Sequence, residues 1–313
     1  MIAGVLSIPE AILLGIVEGL PQFRPVSSTG HLLVVSDLLG LSGSEIDSAA
    51  DTFAIAIQLG AILAVLWLYR VRVWSVIRGV VGADHAGRVL ASRLVLAFLP
   101  AAVVGLVVGD AAKSALFGPV PVTVAWIVGG LVLLAWSPTT RTGTLESLGV
   151  RGAVIIGCAQ VLALWPGVSR SLVTLLAALA VGLSLGAALE FSFLLGVVTL
   201  SAAGVLDGLR NGADMVDQFG VAAPVVGLVA AFATAMIAVR WVVGWLGSHS
   251  LRIFGWYRVG LGAVCAVLLG AGVLCHRGTP TRAGTIPVTG RPTIDSWRAS
   301  SLSGPAAPSL PAT

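Results

Sequence analysis

Charged side chains are scarce in this sequence, making up 10% of its 313 residues, where a soluble domain carries roughly 25%. A water-soluble globule is thereby excluded. Cysteine is scarce as well. The three, Cys158, Cys265 and Cys275, lie in or at the ends of apolar runs without CxxC spacing, so neither a disulfide framework nor a cysteine metal site follows. Lysine is nearly absent, Lys113 being the only one, which reads as codon bias. The positive excess is small too. Of the net +4, the stretch His276 to Thr313 contributes +3 through four arginines and one aspartate. The remaining +1 is too little for a phosphate-backbone footprint, so no nucleic-acid partner is indicated. No basic leader opens the chain, whose start already carries Glu10 and Glu18, unlike a secretory signal.

What the sequence has in quantity is apolar surface, with 57% hydrophobic residues and a mean hydropathy of +1.00. Phe53 to Tyr69, Leu94 to Gly109 and Pro119 to Trp136 are uncharged and match bilayer crossings of roughly 17 to 25 residues. They are continuous rather than alternating, which excludes a membrane β-barrel. The expected fold is an all-α polytopic membrane protein of about six transmembrane helices in one domain over 1–275, with 276–313, rich in proline and small polar residues, as a disordered tail.

Arginine placement orients the chain. Arg70 to Arg93 carries five arginines against Asp84, whereas Asp207 to Asp217 carries three aspartates against Arg210, so the first segment is expected in the cytoplasm and the second outside. From that anchor 94–109 exits, 119–136 returns, 187–206 exits, 219–239 returns and 255–275 exits, with both termini outward.

Two stretches, Glu10 to Leu41 and Ala153 to Gly186, are apolar runs broken at Phe23-Arg24-Pro25-Val26-Ser27-Ser28-Thr29-Gly30-His31 and at Leu164-Trp165-Pro166-Gly167-Val168-Ser169-Arg170-Ser171. Broken backbone is tolerated at membrane depth only inside protein or beside a water-filled cavity. Both stretches therefore read as re-entrant helical hairpins. Each is followed by a run with a Phe and a mid-run Gly, Phe53 to Gly60 and Phe191 to Gly196. The chain thus reads as two repeats, about 5–136 and 152–275, that enter from opposite sides and meet near the midplane.

Ionisable groups at membrane depth are functional by default, and Glu18, Arg24, His31 and Arg170 cluster around the two breaks, with Glu190 and Arg258 further along. The bland alternative is that Glu18, Glu190 and Arg258 form ion pairs that fix helix packing. Glu18 and Gln22 leave one helix face together. Ser27 or Ser28 can cap the helix after Pro25, and Ser169 the helix that carries Arg170, Ser171 and Thr174 in its first turn. Two helix N-termini with free amides, hydroxyls and an arginine describe an anion site, and the guanidinium fork suits phosphate.

Glu18-Gly19-Leu20-Pro21-Gln22-Phe23-Arg24-Pro25-Val26-Ser27-Ser28-Thr29-Gly30-His31, Ile57-Gln58-Leu59-Gly60, Ala163-Leu164-Trp165-Pro166-Gly167-Val168-Ser169-Arg170-Ser171 with Thr174, Glu190-Phe191-Ser192-Phe193 and Tyr257-Arg258, in this order, resemble the undecaprenyl-diphosphate phosphatase family of bacterial inner membranes, known also for bacitracin resistance. The resemblance covers about residues 8 to 275. It implies inverted repeats with re-entrant hairpins, and hydrolysis of a polyprenyl diphosphate lipid to the monophosphate at a site facing outward, so that the carrier of cell-wall synthesis is reused.

Carried onto this chain, the resemblance makes Ser28 the nucleophile or phosphate-orienting hydroxyl, His31 its acid-base partner and Arg170 the stabiliser of the transferring phosphoryl group. Glu18 joins them as a catalytic carboxylate and ligand of a divalent cation, Mg²⁺ or Ca²⁺. Gln22, Arg24, Ser27, Thr29, Ser169, Ser171 and Thr174 are expected to bind substrate. The chain departs from the family pattern at Gln22, where Glu is usual, at Arg24, where Leu is usual, and at Pro21, often Thr; the first two changes each raise the local net charge by one. Broken helices in inverted repeats are also transporter architecture, so a lipid-phosphate or anion transporter, or a non-catalytic carrier-lipid binder, is the alternative. Oligomeric state is not legible in the sequence.

Overall fold

The computed structural model describes residues 6–39, 41, 47–136, 141–246 and 249–274; the expected disordered tail and Cys275 lie outside them. Among the described residues the chain is helical throughout, with one isolated bridge between Gly143 and Leu183. A first hairpin, α1 (Ile8–Gly19) and α2 (Ser28–Leu38), leads into α3 (Asp47–Leu68), α4 (Arg70–Val80), α5 (His85–Leu116) and α6 (Pro119–Ala135). A second hairpin, α7 (Val150–Gln160) and α8 (Arg170–Ala180), leads into α9 (Leu185–Phe219), α10 (Ala222–Leu246) and α11 (Arg252–Gly270).

His85–Gly109, Leu185–Phe219, Ala222–Leu246 and Arg252–Gly270 are long and apolar enough to cross a membrane, and α3 with α4 makes a fifth candidate bent by 87°. The chain is a polytopic, all-α membrane protein. The sixth expected crossing, α6, is helical but short at 17 residues. The arginine-rich segment after Tyr69, read by its charge alone as a cytoplasmic stretch, is itself helical. It folds as α4, with Val71, Trp74 and Val80 exposed between Arg70, Arg72 and Arg78, an amphipathic pattern suited to a membrane–water boundary. Helix α5 then starts at His85, earlier than the charge pattern suggests, because the Asp84 carboxylate accepts the Gly87 amide at 3.0 Å and the Ser75 hydroxyl at 2.7 Å. Those donors hold the Asp84 carboxyl below its ordinary range.

Each hairpin packs against a helix of the other half, α1 on α10 and α7 on α5. Close approach requires glycine at these crossings. A methyl on Gly15 or Gly19 would collide with the carbonyls of Gly227 or Ala231 of α10, and one on Gly157 with Ala97 of α5, the small-residue packing that membrane helices use in place of a hydrophobic drive. Gly15 and Gly19 flank Glu18 and so fix its depth against α10. Between the halves, α3 crosses α9 and α10, and α6 lies along α11. The core centres on α9, where Phe193 meets Phe23 of the first break edge-on at 5.3 Å and Tyr69 at 6.0 Å.

Candidate active site

The two breaks share one backbone solution. Ser27 caps α2 at φ 71° and Ser169 caps α8 at φ 73°, the only non-glycine residues at positive φ among those described. Each hydroxyl accepts an amide at 3.3 Å, from Gly30 and Leu172 respectively. Serine in this region is strained, and such strain persists where surrounding structure enforces it, commonly at functional sites. Of the two expected caps for the first break, Ser27 performs the role, which frees Ser28 as the first residue of α2. Arg170 holds the same place on α8.

The breaks are tied together directly. Ser171 donates to the Arg24 carbonyl at 2.6 Å and Ser169 approaches it at 3.5 Å. Trp126 of α6 donates to the Val26 carbonyl at 3.1 Å. Arg258 is the central tie. Fully buried at 0% exposure, it donates to the carbonyls of Pro25 at 3.2 Å, Gly167 at 2.8 Å and Ala125 at 2.8 Å. The ion pair considered for it does not form; its charge is spent on the backbone of both breaks. Glu190 does form one, with Arg72 of α4 at 2.7 Å, and Arg72 also reaches Glu146 at 3.3 Å. That pair anchors α4 and lies outside the site.

At the mouth of α2 the Ser28 hydroxyl donates to Oε1 of Gln22, with the Glu18 carboxylate nearby. Glu18, at 0% exposure, accepts from the Gln58 amide at 3.3 Å and leaves its other oxygen unpartnered. Arg170 lies within electrostatic range of Glu18 and donates to the Gly196 carbonyl at 3.4 Å. Glu18, Gln22, Ser28 and Arg170 are therefore brought together. Glu18 Oε2, Gln22 Nε2 and Arg24 Nε are buried without partners, as are Arg258 Nε and, on α7, Gln160 Nε2; such atoms are costly and are available to a polar ligand.

Other expected residues stand elsewhere. His31 is not bonded to Ser28: its Nδ1 lies 2.6 Å from the Ser27 carbonyl and its Nε2 2.8 Å from the Tyr257 hydroxyl, with the two rings stacked. One helical turn carries His31 past Ser28 and back onto the capping residue. Thr174 donates to the Arg170 carbonyl at 2.8 Å and contacts the Ser192 hydroxyl at 2.6 Å, which locks α8 to α9. Thr29 is exposed on α2. Arg24 stacks over Trp241 at 4.8 Å.

Residues that motif reading passed over include Gln58 as the partner of Glu18, and Gln160, buried on α7 with its Oε1 accepting from Thr199 at 3.4 Å. A signal existed. Gln160 precedes Arg170 by ten positions, as Glu18 precedes Ser28, so the repeat relation alone points to it.

The donor set does not fit a divalent cation held by the protein. A resident Ca²⁺ takes six to eight oxygens, and Mg²⁺ keeps several waters and leans on substrate phosphates besides one or two carboxylates, whereas here the protein offers one free carboxylate oxygen, on Glu18, within electrostatic range of a guanidinium. Gln22 Oε1 is taken by Ser28. No group of three His, Cys, Asp or Glu converges among the described residues.

A protein named undecaprenyl-diphosphatase from Sorangium cellulosum is 44% identical over 262 residues, covering 82% of this chain and 84% of its own. Undecaprenyl-diphosphatase 2 of Rhodospirillum rubrum is 42% identical over 270 residues, 85% and 96% of the two chains. An undecaprenyl-diphosphatase of Nitrosomonas europaea is 41% identical over the same length. The family model described as bacitracin resistance protein BacA matches residues 11–264, a stretch that runs through both breaks and every residue gathered at them. The chain belongs to the BacA family of bacitracin resistance proteins.

Proposed function

We propose that this protein hydrolyses undecaprenyl diphosphate to undecaprenyl phosphate and inorganic phosphate, in a bacterial inner membrane with its site facing outward, and so returns the lipid carrier to cell-wall synthesis. The observation that carries the reading is the Ser28 hydroxyl, held at a helix N-terminus by Gln22 near the Glu18 carboxylate, with Arg170 at the N-terminus of the facing α8. Phosphoryl transfer needs positioning and charge stabilisation more than covalent machinery, and those are what the two breaks offer.

In this reading the Ser28 oxygen attacks the terminal phosphorus while its proton passes to Glu18, the carboxylate nearby. The bond from phosphorus to the bridging oxygen breaks and prenyl monophosphate leaves, taking that proton from Glu18. Arg170 and the free amides of α2 and α8 hold the equatorial oxygens. Water then attacks phosphoserine, giving its proton to Glu18. Ser28 recovers the proton and inorganic phosphate departs. His31, held by Ser27 and Tyr257, orients the α2 turn and Tyr257 rather than activating Ser28.

Phosphate release from a long-chain prenyl diphosphate in detergent, without gradient or second compartment, tests the reading. A transporter or passive binder releases none. Sidedness is tested in a variant lacking Cys158, Cys265 and Cys275. A cysteine placed in 207–217 should react with an impermeant thiol reagent in intact cells, and one in 72–88 should not; the reverse pattern overturns the outward site.

A further inference from the structure

The centre of the molecule is short of negative charge. Arg24, Arg170 and Arg258 converge on the two breaks against one carboxylate, Glu18. Arg258 donates to three carbonyls through its terminal nitrogens, although its Nε is also buried without a partner, and Arg170 donates to the Gly196 carbonyl within electrostatic range of Glu18. Arg24 has neither arrangement. Its main chain is pinned, because its carbonyl accepts from Ser171 and Ser169. Its guanidinium rests on the face of Trp241, which is 45% exposed, with Tyr257, 48% exposed, in its neighbourhood. The Nε is buried without a partner, and the ring contact satisfies charge but none of the N–H donors. Tyr257 in turn bonds His31. A planar cation fixed at its root, free at its donors and bordered by two half-open aromatic rings is built to take a phosphate oxygen arriving from the lipid side.

We propose that Arg24, with the hydroxyl of Tyr257 and the face of Trp241, forms a phosphate subsite that neutralises the prenyl diphosphate in place of a divalent cation, so that this chain binds its substrate without one. The proposal rests on the assigned reaction for the identity of its ligand. It accounts for the misfit of the donor set to a resident metal: the charge that a cation would bring is already covalently part of the chain, two residues from Gln22. Arg and divalent ions serve the same end at phosphoryl groups, neutralising oxygens that would otherwise repel the attacking group.

The test is equilibrium binding of a methylene-bridged prenyl diphosphate, which cannot be hydrolysed at the bridge, to the full chain in detergent. Binding is measured with chelator and with millimolar Mg²⁺ or Ca²⁺, for wild type, Arg24→Lys and Arg24→Leu. Wild-type affinity is expected to differ by less than about threefold between chelator and metal. In chelator Arg24→Leu should lose about tenfold or more and Arg24→Lys an intermediate amount, the scale of one charge-assisted contact. Wild-type binding that collapses in chelator overturns the proposal, as does Arg24→Leu binding like wild type. Phosphatidylglycerol that displaces the probe from wild type as well as unlabelled prenyl diphosphate does would overturn the substrate assignment in favour of a general lipid-anion contact. Each variant is first shown monodisperse with an unchanged thermal midpoint; if Arg24→Leu fails that check, Arg24→Lys and the wild-type metal dependence decide. Metal-independent binding without phosphate release under any condition would sink the hydrolase reading while sustaining the subsite.

Discussion

The two hairpins share a backbone and divide the chemistry. Each breaks after an apolar helix, turns through a strained serine at φ 71° or 73° and starts a second helix with its functional side chain at the first position. Each also carries a polar residue ten positions earlier that bonds to the following long helix, Glu18 to Gln58 of α3 and Gln160 to Thr199 of α9. The load differs. The first hairpin brings the carboxylate, Gln22 and the Ser28 hydroxyl, while the second brings a guanidinium and, at the place of Glu18, an uncharged amide. Repetition supplies two helix N-termini tied to each other through the breaks, and in the proposed reaction divergence of a few residues makes one the source of nucleophile and base and the other the phosphate clamp.

The largest effects should come from stripping either hairpin of its specialised group. Ser28→Ala and Arg170→Lys are each expected to lower phosphate release by about 100-fold or more, since one removes the attacking hydroxyl and the other replaces a planar fork by a point charge. Glu18→Gln makes the first hairpin resemble the second; it should cost about 100-fold or more as loss of a general base while folding is retained. Near wild-type rates in Glu18→Gln would return the proton-accepting role to His31.

Arg258 joins the hairpins, so Arg258→Lys tests whether their spacing matters. An ammonium cannot span three carbonyls, and kcat is expected to fall about tenfold with KM little changed, the signature of lost transition-state positioning. Gly129→Ala, which thrusts a methyl onto the Arg258 guanidinium, should shift kcat in the same direction; an effect confined to thermal stability would make Arg258 a packing residue only.

Smaller still are the paired cap variants. If the breaks are mechanically alike, Ser27→Ala and Ser169→Ala should destabilise the protein by similar amounts, about 1 to 3 kcal/mol, from loss of a cap and retained strain at positive φ. Unequal melting shifts in detergent would break the equivalence. The smallest change belongs to a site outside both hairpins. Asp84→Ala should leave the rate untouched and lower thermal stability slightly near neutral pH. The Asp84 carboxyl is held below its ordinary range in the fold, so its stabilisation is present above the unfolded value and lost as pH falls through the folded one. Melting curves of the two proteins should therefore converge in acid.

Much of this was legible in the sequence, and the illegible parts share a cause. Helix breaks, caps and the helical class follow from local chemistry: proline removes a donor, serine caps, and uncharged runs have one stable form in lipid. Ser28 and Arg170 could be placed at helix starts for that reason. Contacts across the chain could not. Whether His31 faces Ser28 depends on a turn geometry set by positive φ at Ser27, and the partner of Arg258 is backbone, which leaves no trace in residue types. Pairing of Glu190 with Arg72 required α4 to bend away from α3, whereas the arginine run by itself reads as a charged loop. The repeat relation reached further, since it links Gln160 to Glu18 without any contact being known.

The central claim is that both hairpins act on one phosphoryl group. A double-mutant cycle on initial phosphate release from long-chain prenyl diphosphate tests it most directly, using wild type, Ser28→Ala, Arg170→Lys and the double variant. Residues that serve one transition state are strongly non-additive, so the double variant should be within about threefold of the slower single variant. A double variant slowed by the product of the two separate losses would contradict the claim, because two hairpins that do not share a phosphoryl group contribute independently.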